Sequence, residues 1–428
     1  MKTTTAPSTP ETLAPSLSSL TTSGSTPAGS VTRAHSLSRA ERWRRFFALE
    51  LLDNRYASLH GLRVVAVLSV IQFHVTWIFA GEHNMPIDPD WAASSFAVFF
   101  GMDLFFVLSG FLIGSILLHS LQTAGTQQLR RFYIRRIFRT FPSYYVVLAL
   151  MAVCSNMTPA QLRHLPYEAA YLTDFLPLGS SETLMFWGWS LALEEQFYLT
   201  VPLLFVVLGY LRSDWLRVGL LVLIWASALV VRLSIYYLHR PWADIDLYGS
   251  LYFRPHTRYD TLVAGILLAV VHRRWGAEIG RWLQSPFHRA LLAVPALGCF
   301  WFLLRPMTFA AHDSQFLHLF EWGTTTTLMY FACLLLLLHA DGPFQRMLSA
   351  PVFRSIATLG YGVYLVHMPL CENVVQPAAE ALFERGVPMW LLWPVSVMAV
   401  ALLALAAGYV LHVLIEKPSL RIRERLSN

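Results

Sequence analysis

The chain alternates long apolar runs with short polar connections that carry most of its arginines. A membrane-spanning helix needs about 20 mainly apolar residues. Runs of that character cover residues 61–80, 95–118, 140–156, 189–210, 217–238, 258–272, 288–304, 322–339, 355–371 and 391–413. The pattern predicts an all-α, polytopic membrane helix bundle with about ten transmembrane helices. Three of the runs, 140–156, 258–272 and 288–304, are short for a span. With the N-terminus inside, the cytoplasmic segments hold about 24 Lys and Arg and the external ones about 6. That asymmetry predicts both termini in the cytoplasm.

The flanks read differently. Residues 1–35 are rich in Ser, Thr and Pro and bury too little apolar surface to fold, which predicts a disordered cytoplasmic tail. They have neither the basic start nor the apolar core of a secretory signal. Residues 36–56 interleave arginines with Trp43, Phe46, Phe47, Leu49, Leu51 and Leu52. They read as an amphipathic juxtamembrane helix on the anionic inner leaflet, or as a plain solvated helix. Residues 57–418 then form the transmembrane domain, and 419–428 a second cytoplasmic tail.

Composition narrows the class. Hydrophobic residues make up 55% of the 428 and charged ones 14%, with mean hydropathy +0.49. Soluble domains carry about 25% charged residues, so a soluble enzyme, a disordered scaffold and a disulfide-stapled domain are all disfavoured. The net charge is +6. The only lysines are Lys2 and Lys417, so the basic charge is nearly all arginine. These arginines lie between apolar runs, where topology determinants lie, and do not suggest nucleic acid. Cys154, Cys299, Cys333 and Cys371 stand singly and read as small buried hydrophobes, and no Cys/His spacing suggests a metal site.

Against this apolar background a few ionisable residues stand out. A charge at the bilayer centre costs about 2.5–3.5 kcal/mol on the gentler scales. Arg63 and His74 lie in the first run, Asp103 in the second, Glu194 and Glu195 in the fourth, Arg258 and Asp260 in the sixth, and His367 in the ninth. Each is either an ion pair that fixes packing or part of a functional site. Arg63 and His74 are eleven residues apart, so they share a helix face about 16 Å apart along the axis. His74, Asp103, Glu194 and His367 all fall between mid-membrane and the outer surface. A histidine with carboxylates at one depth is an acid–base constellation. On the cytoplasmic side, Arg130, Arg131, Arg135, Arg136 and Arg139 precede the third run. They anchor topology, and they also suit an anionic ligand, because guanidinium grips phosphate bidentately. A phosphate site inside and an acid–base site further out suit an elongated ligand such as coenzyme A.

The motifs resemble those of the membrane-bound acyltransferase-3 family, which includes O-acetyltransferases of surface polysaccharides and macrolide acyltransferases. The resemblance runs from about Arg55 to Pro418. RYASLHGLRVVAVLSVIQFHVTW is similar to the family's Arg-x10-His element through Arg63 and His74. FFGMDLFFVLSGFLIGSIL brings Asp103, Ser109 and Gly110, and FYIRRIFRTFP brings Arg135, Arg136, Arg139 and Pro142. WSLALEEQFYL brings Trp189, Ser190, Glu194, Glu195 and Tyr198. RYDTLVAGILL brings Arg258 and Gly265. LGYGVYLVHMPL brings Tyr361, Tyr364 and His367, and IEKP brings Glu416 and Pro418. His60 stands where the family often has Asp, and Val75 where a second His often follows.

The resemblance implies a multi-pass protein of a bacterial inner (plasma) membrane. It would move an acyl group, most simply acetyl, from acyl-CoA to a hydroxyl of a surface glycan or lipid-linked saccharide. His74, Glu194 and Asp103 are the expected catalytic residues: His74 as base, or as a transient acyl carrier, and a carboxylate to orient it. Ser109 or Ser190 would donate to the oxyanion, although Ser190 also reads as a helix cap. Arg63, Arg135, Arg136 and Arg139 would bind the acetyl-CoA donor. Glu195, Tyr198, Arg258, Tyr364 and His367 would face the acceptor. No metal is expected, the bilayer is a partner, and oligomeric state stays open. Some members of the family carry a C-terminal esterase-like domain. This chain stops at Asn428, so transfer is expected to be direct or to need a separate protein. Three other functions stay open: a macrolide-like O-acyltransferase, a glycan transporter or flippase, and a non-catalytic protein of the same fold. The aromatic segments at 239–256 and 316–322 read as interfacial belts or, less simply, as sugar-stacking surfaces.

Overall fold

The computed structural model describes residues 41, 44, 46–82, 100–120, 125–177, 179–239, 248–303 and 312–427. All regular structure among these residues is helical, with no strand. The expected disordered tail, 1–35, lies outside the described residues. The chain divides into two units, Met1–Phe46 and Phe47–Asn428. In the first unit residues 41, 44 and 46 are helical.

The second unit carries the bundle. Its helices are α1 (Ala57–Trp77), α2 (Gly101–Ser120), α3 (Gly125–Cys154), α4 (Pro159–Ala169), α5 (Trp189–Tyr210), α6 (Asp214–Leu238), α7 (Pro255–Trp282) and α8 (Pro286–Leu303). There follow α9 (His312–Phe320), α10 (Thr326–His339), α11 (Pro343–Leu348), α12 (Pro351–Leu370), α13 (Gln376–Glu384), α14 (Met389–Leu411) and α15 (Lys417–Ser427). Eight of the ten predicted spans fall on helices long and apolar enough to cross a membrane. The other two, 258–272 and 355–371, fall on α7 and α12, which are 28 and 20 residues long. α7 carries Arg258 and Asp260 near one end and Arg273 and Arg274 near the other, which lowers its apolarity without shortening it. The run at 140–156 is not short either: its helix, α3, begins at Gly125, ahead of the arginine cluster.

Residues 48–56 correct the expectation of a helix across 36–56. They are not helical. Their backbone is instead satisfied by the bundle. Tyr409 donates to Phe47 O (2.8 Å), Lys417 to Ala48 O (2.5 Å) and Arg354 to Leu52 O (2.7 Å). The Glu50 N–H donates to His412 Nε2 (3.2 Å), and the Leu52 N–H to Thr358 Oγ1 (3.3 Å).

Packing within the bundle is read from burial more than from hydropathy. On α1 the buried positions include Leu59, Leu62, Ala66, Val67, Val70 and Ile71, the i, i+3, i+4 stripe of a helix face. Val65 and Leu68 on the opposite face are exposed. Lipid is as apolar as a core, so both faces carry the same residue types.

α2 and α7 share the most extensive helix–helix contact in the bundle. They meet backbone to backbone at Gly110 and Gly265. A Cβ on Gly110 would lie 2.0 Å from the Leu262 carbonyl oxygen, and one on Gly265 would lie 2.2 Å from that of Val107. Small residues permit such approach, which is how packing replaces the hydrophobic effect in a membrane.

Two buried ion pairs hold α7, one to α2 and one to α6. Arg258 donates to Asp103 (2.5 Å) and Arg232 to Asp260 (2.8 Å), and all four side chains are fully buried. Arg232 also donates to Leu319 O (3.0 Å), Thr257 O (2.5 Å) and Thr324 Oγ1 (2.8 Å). It thereby satisfies the break between α9 and α10, where Gly323 turns through φ +91°. A Cβ at Gly323 would lie 2.3 Å from Asp260, so only glycine fits.

Within the aromatic segments Tyr252 and Trp322 belong to the core and not to a belt or an open platform. Tyr252 and Trp322 are 1% and 0% exposed, with ring centroids 5.5 Å apart. Trp242 lies outside the described residues.

Candidate functional site

The arginine cluster on α3 faces a cavity of about 430 Å³. Seven arginines line it: Arg55, Arg63, Arg131, Arg135, Arg136, Arg139 and Arg423. The only acidic residue among them is Asp53. Like charges crowded in this way favour an anion. The cavity also takes in His60, which is 4% exposed and has no hydrogen-bond partner at either ring nitrogen.

A second cavity, of about 150 Å³, continues from it. Arg63, Leu112, Arg136 and Arg139 line both, and Arg135 lines only the outer one. The inner chamber holds Ser109, Glu194, Tyr198, Ser190 and Tyr364. α2 and α5 bring Ser109 and Glu194 together: Glu194 accepts from both the Ser109 and Tyr198 hydroxyls. Tyr198 is four residues after Glu194, one helical turn on the same face. The Arg136 guanidinium lies 4.9 Å from the Tyr198 ring centroid, a cation–π contact that joins mouth to chamber. Ser190 Oγ lies 2.5 Å from the Tyr364 hydroxyl, and the N-cap of α5 is Gly188. Ser190 therefore serves the chamber and not the cap. Glu195 lines neither cavity.

His74 and His367 come together beyond the chamber. His367 Nε2 lies 3.2 Å from His74 Nδ1. The His367 Nδ1 lies 2.6 Å from Tyr364 O, which can only accept. That assigns the His367 proton to Nδ1 and makes its Nε2 an acceptor. His74 Nδ1 must then carry a proton, shared with His367 and with Val70 O at 2.9 Å. His74 Nε2 is left as the basic nitrogen. Neither histidine lines either cavity, but Tyr364, one turn from His367, lines the chamber.

The other expected partners of His74 lie elsewhere. Asp103 is bound to Arg258, and the side chain that meets His74 Nδ1 is His367. Arg258, expected on the acceptor side, is held by that same ion pair and lies 4.4 Å from the Tyr252 ring centroid. Glu194 is engaged with Ser109 and Tyr198 rather than with the imidazole. Sequence spacing gave the depth of these groups but not which helix faces meet.

A polar loop closes the site from the far side. α4 starts at a capping box: Thr158 accepts from the Gln161 N–H, and Gln161 accepts in return from that of Thr158. Its Glu168 carboxylate accepts from the Leu184 and Met185 N–H groups (2.8 and 2.7 Å). Burial raises the Glu168 carboxyl above its usual range. That bridge sets Phe186 and Trp187 over the histidines, with ring centroids 6.4 Å from His74 and 6.5 Å from His367 respectively. Asp174 beside it accepts twice from Gln196 Nε2 (3.0 Å each), and burial pushes its carboxyl up to about 7. The hydropathy pattern gave no sign of this clamp, because Glu168 and Asp174 lie in an ordinary polar connection.

The chain belongs to the acyltransferase-3 family, whose model, described as an acyltransferase domain, matches residues 56–413. Among its relatives is the peptidoglycan O-acetyltransferase OatA of Listeria monocytogenes, 28% identical over 353 residues, covering 73% of this chain and 49% of that protein. A Bacillus subtilis protein, YrhL, provisionally named a peptidoglycan O-acetyltransferase, is 30% identical over 331 residues, covering 73% of this chain and 48% of its own. A Staphylococcus aureus protein provisionally named an O-acetyltransferase is 24% identical over 342 residues, 74% of this chain and 50% of that one. The chain thus spans about half the length of these relatives. No solved structure matches it.

Proposed function

We propose that this protein is a membrane O-acyltransferase. It moves an acyl group, most simply acetyl, from acyl-CoA to a hydroxyl of a cell-envelope glycan or its lipid-linked precursor. The observation that carries this reading is the continuity of the two cavities through Arg63, Arg136 and Arg139. An elongated donor with phosphates at one end and a thioester at the other matches a basic mouth that leads into a small hydroxyl-lined chamber. The names of the relatives supply the acetyl group and the glycan. The orientation follows positive-inside counting, with the arginine mouth and both termini in the cytoplasm of a bacterial inner membrane.

In this mechanism the mouth arginines hold the donor phosphates by charge-assisted bonds. The thioester enters the chamber, where the Ser109 and Tyr198 hydroxyls, which donate to Glu194 in the free protein, turn to its carbonyl oxygen. An acceptor hydroxyl gives its proton to His74 Nε2 as its oxygen attacks the carbonyl carbon. The carbon–sulfur bond breaks, and the proton passes to the CoA thiolate. His367 and Val70 O hold His74 in the tautomer this requires. The chamber's lining ends at Tyr364, one turn from His367, so donor and acceptor meet across Tyr364 and Ser190. Purified protein in detergent, given labelled acetyl-CoA and a lipid-linked or polymeric glycan, tests the assignment: label moves to the glycan hydroxyl. A glycan transporter would move the glycan and leave the label on CoA.

A further inference from the structure

Helix α15 follows the last span and lies beyond residue 413, where the match to the family model ends; only its first two residues belong to the IEKP element. Its sequence, KPSLRIRERLS, reads as a charged tail. The structure ties it down. Lys417 Nζ donates to Ala48 O (2.5 Å), and Ser419 Oγ donates to Phe138 O (2.7 Å) on α3, one residue before Arg139. Lys417 and Ser419 are 4% and 8% exposed.

Residue 423 lies four after Ser419 and so falls on the same helix face, toward α3. Arg423 there lines the outer cavity, opposite no acid but Asp53. Its nearest carboxylate is its own neighbour Glu424, at 3.7 Å, whose side chain is 66% exposed. Arg421 behaves differently: its side chain is 52% exposed, points to Glu50 at 4.0 Å and lines neither cavity. Two of the three arginines on this short helix are thus sorted by face, one into the mouth and one away from it. The buried, unpartnered ring of His60 in the same cavity is a second sign that the mouth is built for a ligand.

We infer that α15 is a wall of the donor site and that Arg423 is a phosphate-binding residue supplied from beyond the family's common domain. This rests on the donor reading above. The ligand class is a nucleotide-like anion with more than one phosphate, since a single phosphate would not use seven arginines spread over four chain segments.

The test is isothermal titration of the purified full chain with coenzyme A. Arg423→Gln weakens binding about tenfold and Arg423→Glu more, and both flatten the dependence of affinity on salt. Arg421→Gln stays within twofold of the unsubstituted protein. Thermal midpoints and elution profiles matching the unsubstituted protein show that α15 remains docked; if Arg423→Glu fails this control, Arg423→Gln decides. Equal affinity in Arg423→Gln and the unsubstituted protein overturns the inference while the donor reading stands. Absence of any coenzyme A binding by the unsubstituted protein overturns both.

Discussion

His367 Nε2 lies 3.2 Å from His74 Nδ1, while its own Nδ1 is held by the Tyr364 carbonyl. An imidazole here stands where a carboxylate would be expected. It accepts from His74 Nδ1–H and leaves His74 Nε2 free, without placing a charge in the membrane. His367→Ala should therefore lower kcat about 10–100-fold, within the range for disturbing a general base, with coenzyme A affinity unchanged. His367→Gln keeps a side-chain acceptor and should recover part of the loss. Equal activity in all three proteins would remove His367 from the site.

The mouth arginines should separate by position. Arg63, Arg136 and Arg139 line both cavities, and Arg135 only the outer one. Alanine at Arg139 should weaken coenzyme A binding about tenfold, some 1.4 kcal/mol. Alanine at Arg135, an exposed side chain, should cost less. Titration calorimetry reads both, and unchanged affinity in Arg139→Ala would leave it as a topology anchor alone.

The glycine contact and the ion pairs are expected to carry stability rather than chemistry. Gly110→Ala has to push α2 off α7, and such overpacking costs about 1–3 kcal/mol. Asp103→Asn leaves Arg258 charged and unpaired in a dry interior, where a broken pair costs about 3–5 kcal/mol. Thermal midpoints should drop in both variants. An Asp103→Asn protein of normal stability that had lost only transfer would return Asp103 to the catalytic group.

The Glu168–Asp174 clamp adds a pH dependence. Burial pushes the Asp174 carboxyl up to about 7, above its ordinary range. The folded protein then binds the proton more tightly than the unfolded chain does. Stability is full below the unfolded carboxylate range and falls as pH rises toward about 7. Asp174→Asn removes that proton linkage, so its thermal midpoint should decline less than that of the unsubstituted protein between pH 4.5 and 8. Parallel curves would show that Asp174 does not titrate in this range.

The sequence was a good guide to what is one-dimensional. Among the described residues each of the ten apolar runs falls mainly on a helix, because a backbone in lipid must satisfy its own hydrogen bonds. The ionisable residues were legible because so little else in the runs is charged. Their partners were not. Whether Asp103 meets His74 or Arg258 depends on helix rotation, and lipid-facing and core-facing sides of α1 carry the same Val, Leu and Ile. The pairing of His74 with His367, 293 residues away, needs three-dimensional packing. Arg423 is illegible for another reason: in a polar tail its charge is unremarkable until α15 docks on α3.

The central claim is that His74 is the base for acyl transfer from a donor held at the arginine mouth. Transfer of labelled acetyl from acetyl-CoA to glycan by His74→Ala, beside coenzyme A binding by the same protein, tests it most directly. The account predicts transfer reduced by about 10²–10⁴ with coenzyme A affinity intact. Transfer at the unsubstituted rate would contradict it.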